Sequence, residues 1–253
     1  MSSNRLKINH DKTDFVWFAS SYGPSGVPAD DICVGGVIIK PSATARSLGV
    51  VFDNFLTFKA HVSNVISSCF LKLKQLGRLR RSIDHENLRT LLIVFVLSRL
   101  DYCNSLLAGQ PESLMKRLQS VQNAAARMFS GLSRYQSVTA VLRDELHWLK
   151  ISYRVTYKLC ILVYRCLHGL ALKYLSGSCV RLVEQSLRSS RNRAAASGNL
   201  VIPRTRLKTY GQRSFAFAGP TAWNSLPAEL KNTTSLPIFK SKLKTHLFNC
   251  CYF

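Results

Sequence analysis

Ile151-Ser152-Tyr153-Arg154-Val155-Thr156-Tyr157-Lys158-Leu159-Cys160-Ile161-Leu162-Val163-Tyr164-Arg165-Cys166-Leu167 decides the fold. Val155, Leu159, Leu162 and Cys166 recur at three- and four-residue spacing, which draws one apolar stripe along a helix. Arg154, Lys158 and Arg165 fall within about 40° of one another at 100° per residue, and Tyr153, Tyr157 and Tyr164 form a second row beside them. Gly169 stops the helix. One apolar face requires other helices to cover it.

The sequence upstream supplies such helices. His61–Arg81 carries Val62, Val65, Ile66, Cys69, Leu73 and Leu76 on one face, with Lys74, Arg78 and Arg81 opposite. Asp84 reads as the N-cap of a helix to about Leu107, whose middle, Leu91–Leu97, is apolar all round and is expected to be buried. Gly109-Gln110-Pro111 breaks it, and Pro111 suits the first turn of a third helix ending at Gly131. A shorter helix is expected over Val138–Leu146.

Outside these helices the pattern changes. Residues 1–55 read as strand and turn, with β-type runs at Asp14–Ala19, Ile32–Ile39 (Gly35-Gly36 inside it) and Ser47–Phe52. Residues 184–199 are polar, small and basic, the composition of a linker or long loop. Beyond them Leu200–Lys208 reads as extended and Pro220–Leu226 as a helical turn. Leu236–Phe248, with Phe239, Leu243 and Leu247 four apart, reads as a short amphipathic helix. The expected class is α+β, mostly α: a short N-terminal β-segment (1–55), a helical bundle (56–183), a linker (184–199) and an irregular basic C-terminal region (200–253).

The charge points to a partner. The 253 residues hold 35 Lys+Arg against 13 Asp+Glu, a formal net charge of +22. Residues 150–253 carry 17 basic and 2 acidic residues, Glu184 and Glu229 being the acids. Such a chain seeks a polyanion, nucleic acid first and an acidic membrane surface as the rival. Cations flanked by aromatics can hold phosphates and stack bases, although tyrosines in a helix also line core edges. The candidate contacts are Lys74, Arg78 and Arg81, then Arg154, Lys158 and Arg165, then Arg188, Arg191, Arg193, Arg204, Arg206 and Lys208.

Other chemistries are poorly served. The longest apolar runs, Leu91–Leu97 and Leu159–Tyr164, fall far short of the roughly 20 residues of a membrane span. The first residues lack the apolar core of a signal peptide. An intracellular protein, nuclear or cytoplasmic and without a membrane partner, is expected. The eight cysteines show no Cys-x-x-Cys pair, so zinc is not expected, and the expected intracellular compartment with several cysteines in apolar helical stretches argues against a disulfide framework. Asp30-Asp31 resembles a metal-binding carboxylate pair, but a lone pair in a Gly-Pro-rich turn reads as a solvated turn. Its only neighbours of that type are Asp11, Asp14 and Asp53. His147-Trp148-Leu149 reads as a helix-end packing element. There is no glycine-rich phosphate loop and no nucleophile constellation.

An ordered series of motifs runs nearly end to end. It opens with Asn4-Arg5-Leu6-Lys7-Ile8-Asn9, Lys12-Thr13-Asp14 and Leu48-Gly49-Val50-Val51-Phe52-Asp53. It continues through Ser98-Arg99-Leu100-Asp101-Tyr102-Cys103-Asn104 and Leu118-Gln119-Ser120-Val121-Gln122-Asn123-Ala124-Ala125-Ala126-Arg127. Leu146-His147-Trp148-Leu149, Leu187-Arg188-Ser189 and Gly211-Gln212-Arg213-Ser214-Phe215 follow. Trp223-Asn224-Ser225-Leu226-Pro227, Phe239-Lys240 and Leu243-Lys244-Thr245 complete it. On this series the chain resembles the C-terminal part of the reverse transcriptase of LINE-type (non-LTR) retrotransposons, in the jockey-like branch.

The resemblance implies a palm remnant over 1–55, a helical thumb-like domain over 56–183 and a basic extension over 200–253. In the family the Mg²⁺-binding Asp-Asp box precedes the Lys-Thr-acid segment, whereas Asp30-Asp31 follows it here. No catalytic or metal-binding residue is therefore carried over. The expectation is a truncated RNA-directed DNA polymerase fragment that keeps the parts gripping RNA or an RNA–DNA hybrid and lacks the catalytic centre. It would need no cofactor alone (Mg²⁺ serves the full-length family) and would be inactive unless an upstream palm is supplied. The alternatives are an inert retrotransposon relic and a non-enzymatic RNA-binding protein.

Overall fold

The computed structural model describes residues 9, 12–19, 30–182, 198–207 and 210–253. The fold is α+β and mostly α, with the strands at the N-terminal end. Residues 1–67 and 68–253 form separate compact units.

Two antiparallel hairpins shape the first unit. Strands β1 (Ile32–Val34) and β2 (Val37–Ile39) pair with Ile32 opposite Ile39. Gly35 and Gly36 join them at φ 59° and 85°, the left-handed pair that matches the twist of a two-residue hairpin. Strands β3 (Thr44–Ser47) and β4 (Val50–Asp53) repeat the plan, with Leu48 and Gly49 at φ 47° and 84°. The run Ser47–Phe52, expected as one strand, is thus a turn and the second arm of a hairpin. Asp14–Ala19 is not a strand: Phe15 makes one bridge to Pro41, and proline has no N–H to extend a ladder. The Asp53 carboxylate closes the unit by accepting from the backbone N–H groups of Phe55, Thr57 and Phe58 and from the Thr57 hydroxyl, at 2.8–3.1 Å. This holds the turn that leads into helix α1 (Lys59–Leu79), whose first N–H, that of Lys59, goes to the Thr57 hydroxyl.

In the second unit, Cys69, Leu73 and Leu76 bury the apolar stripe of α1. The helix ends at Leu79 in a 3₁₀ turn, Arg80–Ser82, so Arg81 lies beyond the helix that was expected to carry it. Asp84 caps helix α2 (His85–Leu92), accepting from the Asn87 N–H at 2.7 Å as expected. The apolar middle does not stay α-helical. Ile93–Leu97 winds as a π-turn, followed by α3 (Ser98–Asp101) and a left-handed Cys103. Leu92, Val96 and Leu97 are buried, but Ile93, Val94 and Phe95 are exposed, so the expected all-round burial is corrected. Apolar residues on every side of this segment outnumber the positions that its neighbours cover.

Helix α4 (Glu112–Ser130) starts after Pro111 and stops at Gly131 in the left-handed conformation. Its polar side chains have structural duties. Gln122 is fully buried and donates to the Leu149 carbonyl at 2.9 Å. Gln119 accepts from the Ile151 N–H at 2.9 Å, capping helix α5 (Ile151–Leu167) from a neighbouring element. Val138–Leu146 contains a second π-turn, Val141–Glu145.

Helix α5 is the hub. After α6 (Lys173–Ser176), the C-terminal region carries helices from Ser214 onward. From there it forms α7 (Phe215–Asn224), α8 (Ala228–Lys231) and α9 (Leu236–Tyr252). Tyr164 stacks on Phe239 at 4.4 Å between ring centres, and Trp223 sits 5.7 Å from Phe239. Gly219 lets α7 approach α5 closely, since a Cβ there would meet the Val163 side chain at 3.0 Å. Asn224 accepts from the Leu200 N–H at 2.8 Å and donates to its carbonyl at 2.9 Å, while the Trp223 indole donates to Gly198 at 3.1 Å. The Trp223–Pro227 motif thereby clamps the 198–200 segment onto the core. The expected linker over 184–199 lies outside the described residues except at Gly198 and Asn199.

Candidate functional site

Where α2, α5 and α9 converge they leave a cleft of about 500 Å³. Each contributes cations: Arg89 from α2, Arg154 and Lys158 from α5, and Lys244 from α9. Asp101, at the end of α3, is the carboxylate among them. Four cations against one anion leave the cleft formally +3. Tyr157, His147 and Trp148 supply aromatic surface. Burial raises the Tyr157 phenol above its ordinary value, which keeps it neutral.

Arg154 is less free than its helix row suggests. Its Nε donates to Asp101 Oδ1 at 2.7 Å and its Nη2 to Oδ2, a two-pronged ion pair. The Arg154 side chain is only 16% exposed and that of Asp101 41%. Arg154 therefore fixes α3 against α5, and the exposed Lys158 is the freer cation of the two. Asp101 Oδ1 also receives the Asn104 side-chain N–H at 3.3 Å. Arg89 reaches the Leu146 carbonyl at 3.4 Å, tying α2 to the segment before His147.

The other candidate contacts fall elsewhere. Lys74, Arg78 and Arg81 are exposed but do not line the cleft, and neither do Arg165, Arg204 and Arg206, also exposed. Arg188, Arg191, Arg193 and Lys208 lie outside the described residues. The tyrosine row is not a stacking platform. Tyr164 is buried in the core, Tyr153 donates its hydroxyl to the Cys250 carbonyl at 2.7 Å, and Tyr157 alone reaches the cleft. Arg89 was missed because it is the one Lys or Arg on α2, and Lys244 because α9 was read for its apolar stripe although Lys240 and Lys244, four residues apart, share a face there.

A divalent-metal centre finds little support in the residues described. Asp53 uses both oxygens to hold the turn before α1, Asp30 and Asp31 are exposed, and no group of three potential ligands gathers among the described residues. The Mg²⁺ of the resembling family therefore has no fitting donor set among them. Three buried thiols are held protonated: desolvation pushes Cys69 up to about 11 and Cys160 and Cys179 up to about 12. No helix of the described residues is long and apolar enough to cross a membrane.

Comparison with models of protein families, with curated proteins and with solved structures found no match.

Proposed function

We propose that this chain is a nucleic-acid-gripping fragment of a retrotransposon-type reverse transcriptase, holding RNA or an RNA–DNA hybrid without doing phosphoryl transfer. The observation that carries it is the cleft, where three helices distant in sequence bring four cations together around a single carboxylate, beside the exposed His147 and the half-buried Tyr157. Random solvated charges do not require such convergence, and a phosphate backbone rewards it. The net charge of +22 supports the same reading through long-range attraction. A gripping rather than catalytic role is supported by Asp53, whose two oxygens are taken up by the turn before α1. The motif series quoted above supplies the family.

The test is binding of labelled RNA, RNA–DNA hybrid and single-stranded DNA by fluorescence anisotropy. If six to ten phosphates are neutralised, affinity falls roughly 10³- to 10⁵-fold between 50 and 200 mM salt. Lys158→Gln with Lys244→Gln is expected to abolish any preference for hybrid over single strand, whereas Arg204→Gln with Arg206→Gln weakens all three alike. Equal losses in both pairs, regardless of nucleic-acid shape, reduce the protein to a generic polycation and end the proposal.

A further inference from the structure

Apart from the cleft, a second corner of the 68–253 unit gathers arginines. Helices α1 and α4 both end there. Just beyond α1, the Arg80 guanidinium lies against Gly131, the stop of α4: a Cβ on that glycine would come within 2.7 Å of Arg80 Nη2. Arg80 is exposed, a position that suits the negative end of α4 and an incoming phosphate alike. Arg127, in the last turn of α4, donates through Nη2 to the Gln136 carbonyl at 3.5 Å. Arg134 stands over the Tyr135 ring, 4.7 Å from its centre. None of these residues lines the cleft. Among the described residues none of the three arginines makes an ion pair, and residues 127–137 hold no acid. Helix α2 starts beside this corner, where the His85 ring meets Phe129 at 4.1 Å. Its capping Asp84 is engaged with Asn87, and with Glu86 of the same turn counted, three arginines against one acid still leave +2.

The tip that carries Tyr135 is braced. The Gln136 N–H donates to the Ser133 carbonyl at 3.3 Å, which makes a β-turn with Arg134 and Tyr135 at its centre. The Gln136 side chain accepts from the Ser133 N–H at 2.8 Å, and Arg127 holds the Gln136 carbonyl from α4. On this turn Tyr135 is 83% exposed. With Arg134 against one face of the ring, exposure of that size leaves the other face open. A tyrosine has only two side-chain torsions to fix, so a ring presented this way makes contact at little entropic cost.

We infer that the 133–136 turn is a second nucleic-acid contact, separate from the cleft, at which a base of a single strand stacks on Tyr135 while Arg80 and Arg134 meet the neighbouring phosphates. The inference rests on the nucleic-acid reading and adds a surface to it. Stacking needs an open base face, which a single strand offers and the interior of a duplex does not, and it is indifferent to base identity because every base has such a face. A ring set among guanidiniums matches a strand, in which bases alternate with phosphates. An acidic peptide would engage the arginines and leave the ring without a counterpart.

The experiment is fluorescence anisotropy of the full chain at low salt with a labelled 12-nucleotide oligouridylate and a labelled abasic ribose-phosphate strand of the same length, with oligoglutamate as competitor. Tyr135→Ala is expected to lose about tenfold in affinity for the oligouridylate and less than about twofold for the abasic strand, while Tyr135→Phe, which keeps the ring, holds both. Arg80→Gln with Arg134→Gln is expected to weaken both strands and to lower the slope of log affinity against log salt by about 1.4, at about 0.7 for each phosphate of a single strand. Tyr135 and both arginines are exposed, so these variants leave the core untouched. Equal losses on the two strands in Tyr135→Ala, or none on either, overturn the inference, and so does an unchanged salt slope in the arginine pair. Oligoglutamate that displaces the RNA as well as unlabelled oligouridylate does marks a site for acidic protein and overturns it too. RNA binding that responds to Lys158→Gln with Lys244→Gln but not to Tyr135→Ala overturns this inference and leaves the cleft reading standing. Absence of salt-sensitive binding to either strand removes the two together.

Discussion

Replacing Asp101 by Asn tests the joint on which the cleft is built. The substitution keeps the shape of the side chain and removes its charge. Arg154 then stays with both of its donors aimed at a neutral amide, and Asn104 loses the charge-assisted character of its bond. Breaking a fully buried pair from one side costs about 3–5 kcal/mol, while an exposed pair is worth about 0–1 kcal/mol. This pair lies between: the arginine is mostly buried and the aspartate is well over a third exposed. Solvent screening on the aspartate side brings the expected loss to about 2 kcal/mol. The assay is urea unfolding followed by tryptophan fluorescence, since Trp148 and Trp223 both belong to the 68–253 unit. Arg154→Met and the double variant complete a cycle with an expected coupling of about 1–2 kcal/mol. A loss below about 0.5 kcal/mol in Asp101→Asn, or single losses that add in the double variant, refutes the account of Arg154 as a joint.

Asn224→Ala removes both bonds to Leu200 and is expected to cost about 2–3 kcal/mol, read by the same unfolding assay; Asn232→Ala, on an exposed residue, should cost less than about 0.5 kcal/mol. Tyr164→Phe is expected to be neutral or stabilising by up to about 1 kcal/mol, because the buried Tyr164 hydroxyl has no partner; a loss above about 1 kcal/mol in thermal unfolding contradicts that. Burial lowers His61 below its ordinary 6.5, and the Val51 N–H faces His61 Nδ1 at 3.5 Å, which favours the neutral ring. The unfolded chain therefore takes up the proton more readily. The contribution of His61 is complete above pH 6.5 and is lost as pH falls through its lower folded value. Hydrogen-exchange protection over residues 50–62 should accordingly drop below pH 6.5 in the parent and stay level in His61→Gln.

Legibility in the sequence followed the range of the interaction. Asp84 and Gly131 announce a cap and a stop because each acts within a few residues, and both do what their chemistry suggests; Gly35-Gly36, read as lying inside one β-type run, instead turns Ile32–Ile39 into two strands. The stripe on α5 was legible because it repeats. The π-turn at Ile93–Leu97 was not, since one extra residue in a turn leaves no mark on an all-apolar run. The cleft was half legible. Arg154 and Lys158 share a helix row, but their companions Arg89 and Lys244 become neighbours only when α2 and α9 pack. The demotion of Arg154 to a pairing role depends on Asp101, 53 residues earlier, and no local pattern connects them.

The last turn of α9 is tied to the beginning of α5 by three hydrogen bonds across about a hundred residues. Lys150 donates to the Cys251 carbonyl, Tyr153 to that of Cys250, and the Tyr252 hydroxyl to that of Trp148. On a ribosome, α5 therefore emerges long before the residues that finish its surroundings. Until then the side of α5 that receives Phe239 is bare, and Tyr164 has only the His168 ring, 3.8 Å away, to stack on. Closing so long a loop adds little entropy beyond that of a moderate one, so the equilibrium tolerates the arrangement. The waiting time is the exposed quantity. Slow translation between residues 167 and 236 would lengthen the interval in which that bare helix can meet another nascent chain, and yield would respond to codon choice there while the stability of the finished protein would not.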